Sequence, residues 1–362
     1  MILFKAVGVH CLVDGQFGST GKGALAAWLA NRACEDGYIN YFGGSIYSGG
    51  PNSGHTCYYQ HEKIVLKQLP TFGVYAAKLG FPIPVYLSAG AVIDRDCLKI
   101  EAALHPNVRI FVHPNAAIVT DEDKKAEESG SIAEVAGTRS GTGAALANKI
   151  LRNPKAIAVH SLGRIAENVV VQAHRLKPDR NAYFMEVAQG FSLGINSQFY
   201  PKVTSRECTV MQGMADARLP ARSLARTYMA IRTYPIRVGN VDGYSSGDWY
   251  EDQLETSWDA IGAQEERTTV TNRVRRVATF SAEQFYEACH ANDPDIVFIS
   301  HMDYLGQQAG DGLLSDMLEF RYNMGKDFKI LIGTGPRIED ISAVQEGSNA
   351  DNYSDRSTGF NT

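Results

Sequence analysis

Lys22 stands between Gly21 and Gly23 at the end of the stretch Val9 to Gly23, VHCLVDGQFGSTGKG. Gly15, Gly18, Gly21 and Gly23 keep that turn free of bulk, and a cation inside it suits a phosphate held against backbone N–H groups. The pattern G-x-x-x-x-G-K-[ST] would need glycine at Gln16 and a hydroxyl at Gly23, so this is not a standard P-loop. A tight strand-to-helix turn alone accounts for the glycines but not for the lysine. A second glycine-dense stretch, Tyr41 to Cys57, carries Asn52 and His55. A lone loop histidine is commonly a satisfied one; Gly49, Gly50 and Gly54 around His55 leave the imidazole free to approach a ligand, which favours a functional role.

Three further constellations follow along the chain. Gly137 to Gly143, GTRSGTG, runs into a helix and reads either as a second anion site or as a flexible surface loop. Arg267 to Val277, RTTVTNRVRRV, combines four arginines with hydroxyls and an amide, a set matched to planar carboxylates or phosphates, although a charge run is usually a solvated face. Near the end, His301, Asp303 and Gly333-Thr334-Gly335-Pro336 close two apolar runs of the parallel-strand kind, where open α/β sheets bind ligands.

The elements that must carry these groups alternate in type. Ala6 to Val13, Lys63 to Leu69, Val85 to Ser88, Val108 to Val112, Tyr183 to Val187, Asp295 to Ser300 and Phe328 to Ile332 read as strands, and Ile236 to Gly239 as a strand end. Ala24 to Ala33, Asp94 to Leu104, Ala144 to Arg152, Ser223 to Ile231 and Leu313 to Met324 read as helices. The 362 residues are 44% apolar, enough for one large α/β domain or two ordinary ones. No apolar stretch reaches membrane-span length and Met1 to Ala6 lacks a signal-peptide layout, so a soluble cytoplasmic protein is expected. Six scattered cysteines without a C-x-x-C pair fit a reducing compartment. The net charge of -5 argues against direct nucleic-acid binding, so anions must be held by local clusters. The polar tail from Glu346 to Thr362 reads as extended or mobile rather than core.

Taken together, these loops resemble the adenylosuccinate synthetase family over almost the whole chain. Gly15 to Gly23 stands at the family's GQWGDEGKGK-type loop, Gly50 to Thr56 at its GHNAGHT loop and Val187 to Gly190 at its EGAQG segment. Val203-Thr204-Ser205, Arg273 and Arg275, Met302-Asp303 and Gly333 to Pro336 follow in the family's order. The resemblance implies one doubly wound, mostly parallel sheet flanked by helices, with residues 1–345 catalytic, a homodimer and Mg²⁺. It also implies a reaction in which a triphosphate phosphorylates the six-position oxygen of a purine and aspartate displaces that phosphate.

Carried over by position, Lys22 holds the transferring phosphate and His55 acts as acid or electrostatic stabiliser, with Ser19 at the family's catalytic position. The triphosphate is expected on Gly18, Ser19, Thr20, Gly21, Lys22, Gly23, Arg275, His301, Asp303, Gly333, Thr334, Gly335 and Pro336. The purine monophosphate is expected on Ser19, Asn52, Ser53, Gly54, His55, Thr138, Gln189, Thr204 and Arg273, with Arg152 reaching the neighbouring subunit's site. Aspartate falls to Thr271, Asn272, Arg273 and Arg275, and Mg²⁺ to Ser19 and the Gly54 carbonyl.

One departure is central. The family's catalytic aspartate is Ser19 here, and its neighbour glutamate is Thr20. Serine has no useful basicity near neutral pH, so an inosine ring would go undeprotonated without another base. A hydroxyl in place of a carboxylate leaves room for an amine at the purine two-position. With the short chain, this resembles the family's phage branch, which joins aspartate to dGMP with ATP to make succino-2-amino-2'-deoxyadenylate. His301 and Gly333 replace a lysine and a serine of the guanine-reading set, which leaves that set incomplete; the resemblance to the phage branch implies ATP as donor and, for a phage-encoded chain, the host cytoplasm as its location. Two alternatives stay open: an ordinary adenylosuccinate synthetase using IMP and GTP, and a nucleotide-binding homologue without turnover.

Overall fold

The computed structural model describes residues 2–128, 135, 137–241, 243–268 and 272–344. Its frame is a ten-stranded sheet in the order Ile341–Ala343, Lys329–Gly333, Ile296–Ser300, Leu224–Arg232, Gly8–Asp14, Ala182–Val187, Phe42–Ser48, Val85–Leu87, Ile110–Val112, Val169–Val171. Every neighbouring pair is parallel except the last one formed, where Ile341–Ala343 runs antiparallel to Lys329–Gly333. From the first strand the chain winds outward on one side, returns to insert Ala182–Val187, then winds outward on the other. This is the doubly wound topology expected from the sequence, with its switch point at the glycine loop.

Parallel strands are buried on both faces, and side chains alternate between two cores. Leu12, Phe184 and Tyr228 enter one with Leu25, Leu29 and Phe72; Cys11, Val13, Met185 and Met229 enter the other with Phe285, Met317 and Phe328. The ring of Phe72 stacks on Phe184 at 4.2 Å.

Two assignments are corrected. Residues 223–231 were expected to form a helix; Leu224–Arg232 is instead a strand between Gly8–Asp14 and Ile296–Ser300. Its buried run TYMAIR shows no polar alternation, as a strand covered on both faces need not, and it mixes the helix formers Ala, Met and Arg with the strand formers Thr, Tyr and Ile, so neither periodicity nor propensity separates strand from helix. Phe42–Ser48, read as part of a glycine loop, is a buried central strand. Its glycines make room for rings rather than for a turn: a Cβ on Gly43 would press on Tyr183, and one on Gly44 on Tyr86.

Helices Lys22–Glu35, Arg95–Leu104 and Thr142–Ile150 agree closely with expectation, while Gln307–Asn323 begins six residues before the expected Leu313. Ile236–Arg237 belongs to a separate three-stranded antiparallel sheet with Arg276–Ala278 and Glu255–Thr256. None of the six cysteines is in a disulfide. No helix among the described residues is long and apolar enough to cross a membrane. The tail from Glu346 lies outside the described residues.

Candidate active site

The glycine loop is organised by Asp14, the last residue of the first strand and fully buried. Asp14 Oδ1 accepts from the Gln16 and Gly18 N–H groups at 2.9 and 3.2 Å, and Oδ2 from Thr20 Oγ1 at 2.5 Å and Lys22 Nζ at 3.3 Å. Lys22 also donates to the Gln189 carbonyl at 2.6 Å, so its ammonium is fixed between two strand ends. Gln16 exchanges two hydrogen bonds with the backbone of Arg232, tying the loop to a third. Gly21 takes the left-handed conformation ahead of helix Lys22–Glu35, φ 79°, and no side chain caps that helix. Its first N–H groups therefore stay available to an anion.

These groups line a cavity of about 340 Å³ at the carboxyl ends of the strands. It gathers Gly18 to Gly23, Asn52 to Thr56, Thr138, Gln189, Thr204, Arg275 and His301. Most of the expected residues thus come together. The ring of His55 is buried at 6% exposure with the Glu186 carboxylate 3.3 Å from Nδ1, while Glu186 Oε1 accepts from the Phe72 N–H at 2.8 Å. Neither ring nitrogen of His55 has a hydrogen-bond partner, nor does Gln189 Nε2. Asn52 Nδ2 donates to Thr204 Oγ1 at 3.4 Å.

The far rim turns on Glu266. Arg232 donates to both its oxygens, at 3.1 and 2.5 Å; Arg275 adds a bond of 3.0 Å and Tyr304 one of 3.2 Å. Burial pushes the Glu266 carboxyl up, but the Arg232 guanidinium with its hydrogen bonds, helped by His301 and Arg275, wins and holds it at about 2. Burial, then the positive Arg232, lowers His301 to about 3, so its imidazole is neutral at neutral pH. Arg232 also donates to the Ser19 carbonyl at 3.2 Å. Ser19 itself is exposed and sits in the left-handed region, φ 56°. Asp14 and Glu266 are the only carboxylates among the described lining residues, and both are fully engaged.

Other expected residues lie elsewhere. Asn272 is exposed, and Arg273 donates to the carbonyls of Gly239 and Gly137 at 3.1 and 2.9 Å. Asp303, its carboxyl raised by partial burial, follows His301 outside the cavity lining; Gly333 ends the adjacent strand and Thr334, Gly335 and Pro336 follow it, also outside the lining. Arg152 is exposed, and Thr271 lies outside the described residues. The GTRSGTG loop is settled too: the buried Glu127 carboxylate accepts from the N–H groups of Gly141, Gly143 and Ala144, so that helix start already holds the protein's own anion.

A model described as adenylosuccinate synthetase matches residues 155–310. The N6-succino-2-amino-2'-deoxyadenylate synthase of Vibrio phage phiVC8 is 35% identical, covering 93% of this chain and 98% of its own. The chain belongs to the adenylosuccinate synthetase family. The enzyme of that name from Cyanophage S-2L is 33% identical over 93% of both chains. The solved S-2L succinoaminodeoxyadenylate synthetase, bound to dGMP and dATP as energy donor, superimposes with a TM-score of 0.81 at 33% identity, covering 94% of this chain and 96% of that one. The fully ligated adenylosuccinate synthetase of Plasmodium falciparum shares the fold, TM-score 0.74, at 16% identity.

For a member of the adenylosuccinate synthetase family, the residues that sequence reasoning passed over are the supporting ones: Glu186 behind His55, Asp14 behind Lys22, and Arg232 with Glu266. Asp14 and Glu186 had a signal, since each is a charged residue inside an apolar strand. Arg232 and Glu266 had none, because their pairing depends on a strand that the sequence presents as a helix.

Proposed function

We propose that the chain is an ATP-dependent C–N ligase that joins L-aspartate to dGMP through a 6-phosphoryl purine, giving succino-2-amino-2'-deoxyadenylate for 2-aminoadenine DNA. The choice of purine rests on Ser19, an exposed hydroxyl at the mouth of the glycine loop, in company with the phage relatives' names. Where a carboxylate would crowd a two-amino group, a hydroxyl can accept from it.

In this reading the bare start of helix Lys22–Glu35 and the Lys22 ammonium hold the phosphate in transfer, as a preorganised charge cradle. The carboxylate of Glu186 lies 3.3 Å from Nδ1 of His55, and Nε2 is left for the six-position oxygen. Gln189, Asn52, Thr138 and Thr204 receive the monophosphate end, while Arg275, braced by Glu266, receives a carboxylate of aspartate. Mg²⁺ fits a lean donor set: Ser19 and the Gly54 carbonyl supply neutral oxygens, no group of three His, Cys, Asp or Glu exists among the described residues, and magnesium takes most of its ligands from phosphates and water. Bound there, the ion supplies charge neutralisation at the phosphates. The homodimer is supported by Arg152, exposed beside Ile150 and Leu151, which are 74% and 77% exposed.

The test combines the protein with Mg²⁺, aspartate and ATP or GTP, with either dGMP or IMP, and identifies products by mass spectrometry. A succinylated product from dGMP with ATP is expected. Product from IMP alone would assign an ordinary adenylosuccinate synthetase, and no product with saturable binding a non-catalytic homologue. His55→Ala is expected to lower kcat on the order of 10²-fold with dGMP affinity retained, because the ring acts mainly in the transition state. An equal loss of dGMP affinity, measured by calorimetry, would contradict that role.

A further inference from the structure

A second cavity, of about 1150 Å³, shares no lining residue with the first. It is walled by residues 173–180, which lead into strand Ala182–Val187, by residues 217–225 at the start of strand Leu224–Arg232, and by the chain ahead of the first strand. Six cations line it: Lys5, Arg175, Lys177, Arg180, Arg218 and Arg222. Asp179 is the single carboxylate, 3.9 Å from Arg180. No ion pair among the described residues engages the side chains of Lys5, Arg175, Lys177, Arg218 or Arg222. The lining therefore carries a net charge of about +5, six minus one, in a chain whose total is -5. Like charges facing across a concave surface repel one another and raise the local potential, which an anion of several charges relieves.

A separate observation lies in the same cavity. His174 is held edge-on over Phe111 at 4.0 Å and Tyr86 at 5.2 Å, and its Nε2 is buried without a hydrogen-bond partner. That nitrogen is closed to solvent, so it stands as an unpaired polar atom in the wall of the cavity rather than as an open contact.

We propose that this cavity is a second anion site that takes a compact polyphosphate, such as the triphosphate of a nucleotide. Arginine forks, four among the six cations, pair two N–H groups with phosphate oxygens. The overall negative charge opposes a long polyanion lying across the surface. The site is independent of the reading of turnover given above, because it is measured by binding alone.

The experiment is calorimetric titration of the full chain with dATP, inorganic tripolyphosphate and a twelve-nucleotide single strand. It compares wild type with Lys22→Ala, which disables the catalytic cradle, and with Arg175→Glu/Arg222→Glu, which reverses the cavity's charge. The wild type is expected to bind two dATP per chain. Lys22→Ala should keep the second site, and the reversed variant should lose it, with affinity there falling at least tenfold. Tripolyphosphate binding at the second site of Lys22→Ala would assign recognition to the phosphates; dATP binding without tripolyphosphate binding would assign it to the whole nucleotide, and the polyphosphate class would fall. Loss of all dATP binding in Lys22→Ala, dATP binding that the reversed variant keeps in full, or a strand that binds this cavity more tightly than either small ligand, would overturn the proposal. Should the reversed variant fail to fold, Arg175→Gln/Arg222→Gln carries the same comparison.

Discussion

Helix Lys22–Glu35 begins after Gly21 and helix Thr142–Ile150 after Gly141, each glycine left-handed, at φ 79° and 76°, and neither start has a capping side chain on its own N-cap residue. The first opens on the cavity with Lys22 buried beside it. The second is filled by Glu127, 14 residues before Gly141, at 2.7 Å from the Gly141 and Gly143 nitrogens. One glycine-to-helix junction is thus left open to the cavity and the other encloses an internal anion. The difference lies in a carboxylate outside the junction, and a positive helix end is no evidence for a ligand until the surrounding acids have been placed.

The sharpest way to break this contrast is Lys22→Ala. It removes the cation from the open junction and should lower turnover by about 10³-fold. A loss under tenfold in steady-state kinetics would mean that the cradle does not hold the transferring phosphate. Glu127→Gln tests the closed junction. With three backbone donors deprived of their charged acceptor, stability should fall by about 1–3 kcal/mol in denaturant unfolding, and added phosphate should restore part of it. An unchanged midpoint would show that Glu127 is not the junction's anion. Ser19→Asp returns a carboxylate to the open junction and should shift the kcat/KM ratio toward IMP by about tenfold; an unchanged ratio would remove the serine as selector.

The smallest effect is pH dependence. Burial holds His10 at about 4, and burial with Arg232 holds His301 at about 3, both below the ordinary histidine value of 6.5. As pH falls below 6.5 the unfolded chain takes up protons that the folded one refuses, so stability declines. Each histidine contributes at most about 1.4 kcal/mol per pH unit. Glu266 acts lower: its stabilisation is complete above about 4.5 and is lost as pH falls toward its folded value of about 2. Unfolding midpoints that stay flat from pH 6.5 to 4.5 would contradict the neutral state of the two histidines.

The comparison also explains what was legible. Lys22, Thr20 and Asp14 lie within nine residues, so the open junction is written in one continuous stretch. The ordered sequence of loops gave the fold's winding and most of the cavity. The Glu266 cluster joins Arg232, Arg275, His301 and Tyr304 across separate elements, and no local pattern announces it. Strand Phe42–Ser48 was hidden for a related reason, since its glycines serve the tyrosines of neighbouring strands.

The glycines of the catalytic loops meet backbone to backbone. A side chain on Gly23 would collide with the peptide of Thr56, next to His55, and one on Gly190 with the Gly18 nitrogen and the Gln16 carbonyl. The separation between ammonium and imidazole is therefore fixed at the thickness of main chain on main chain. A change of substrate would have little scope to respace these loops and would act instead through the side chains they carry, such as that of Ser19.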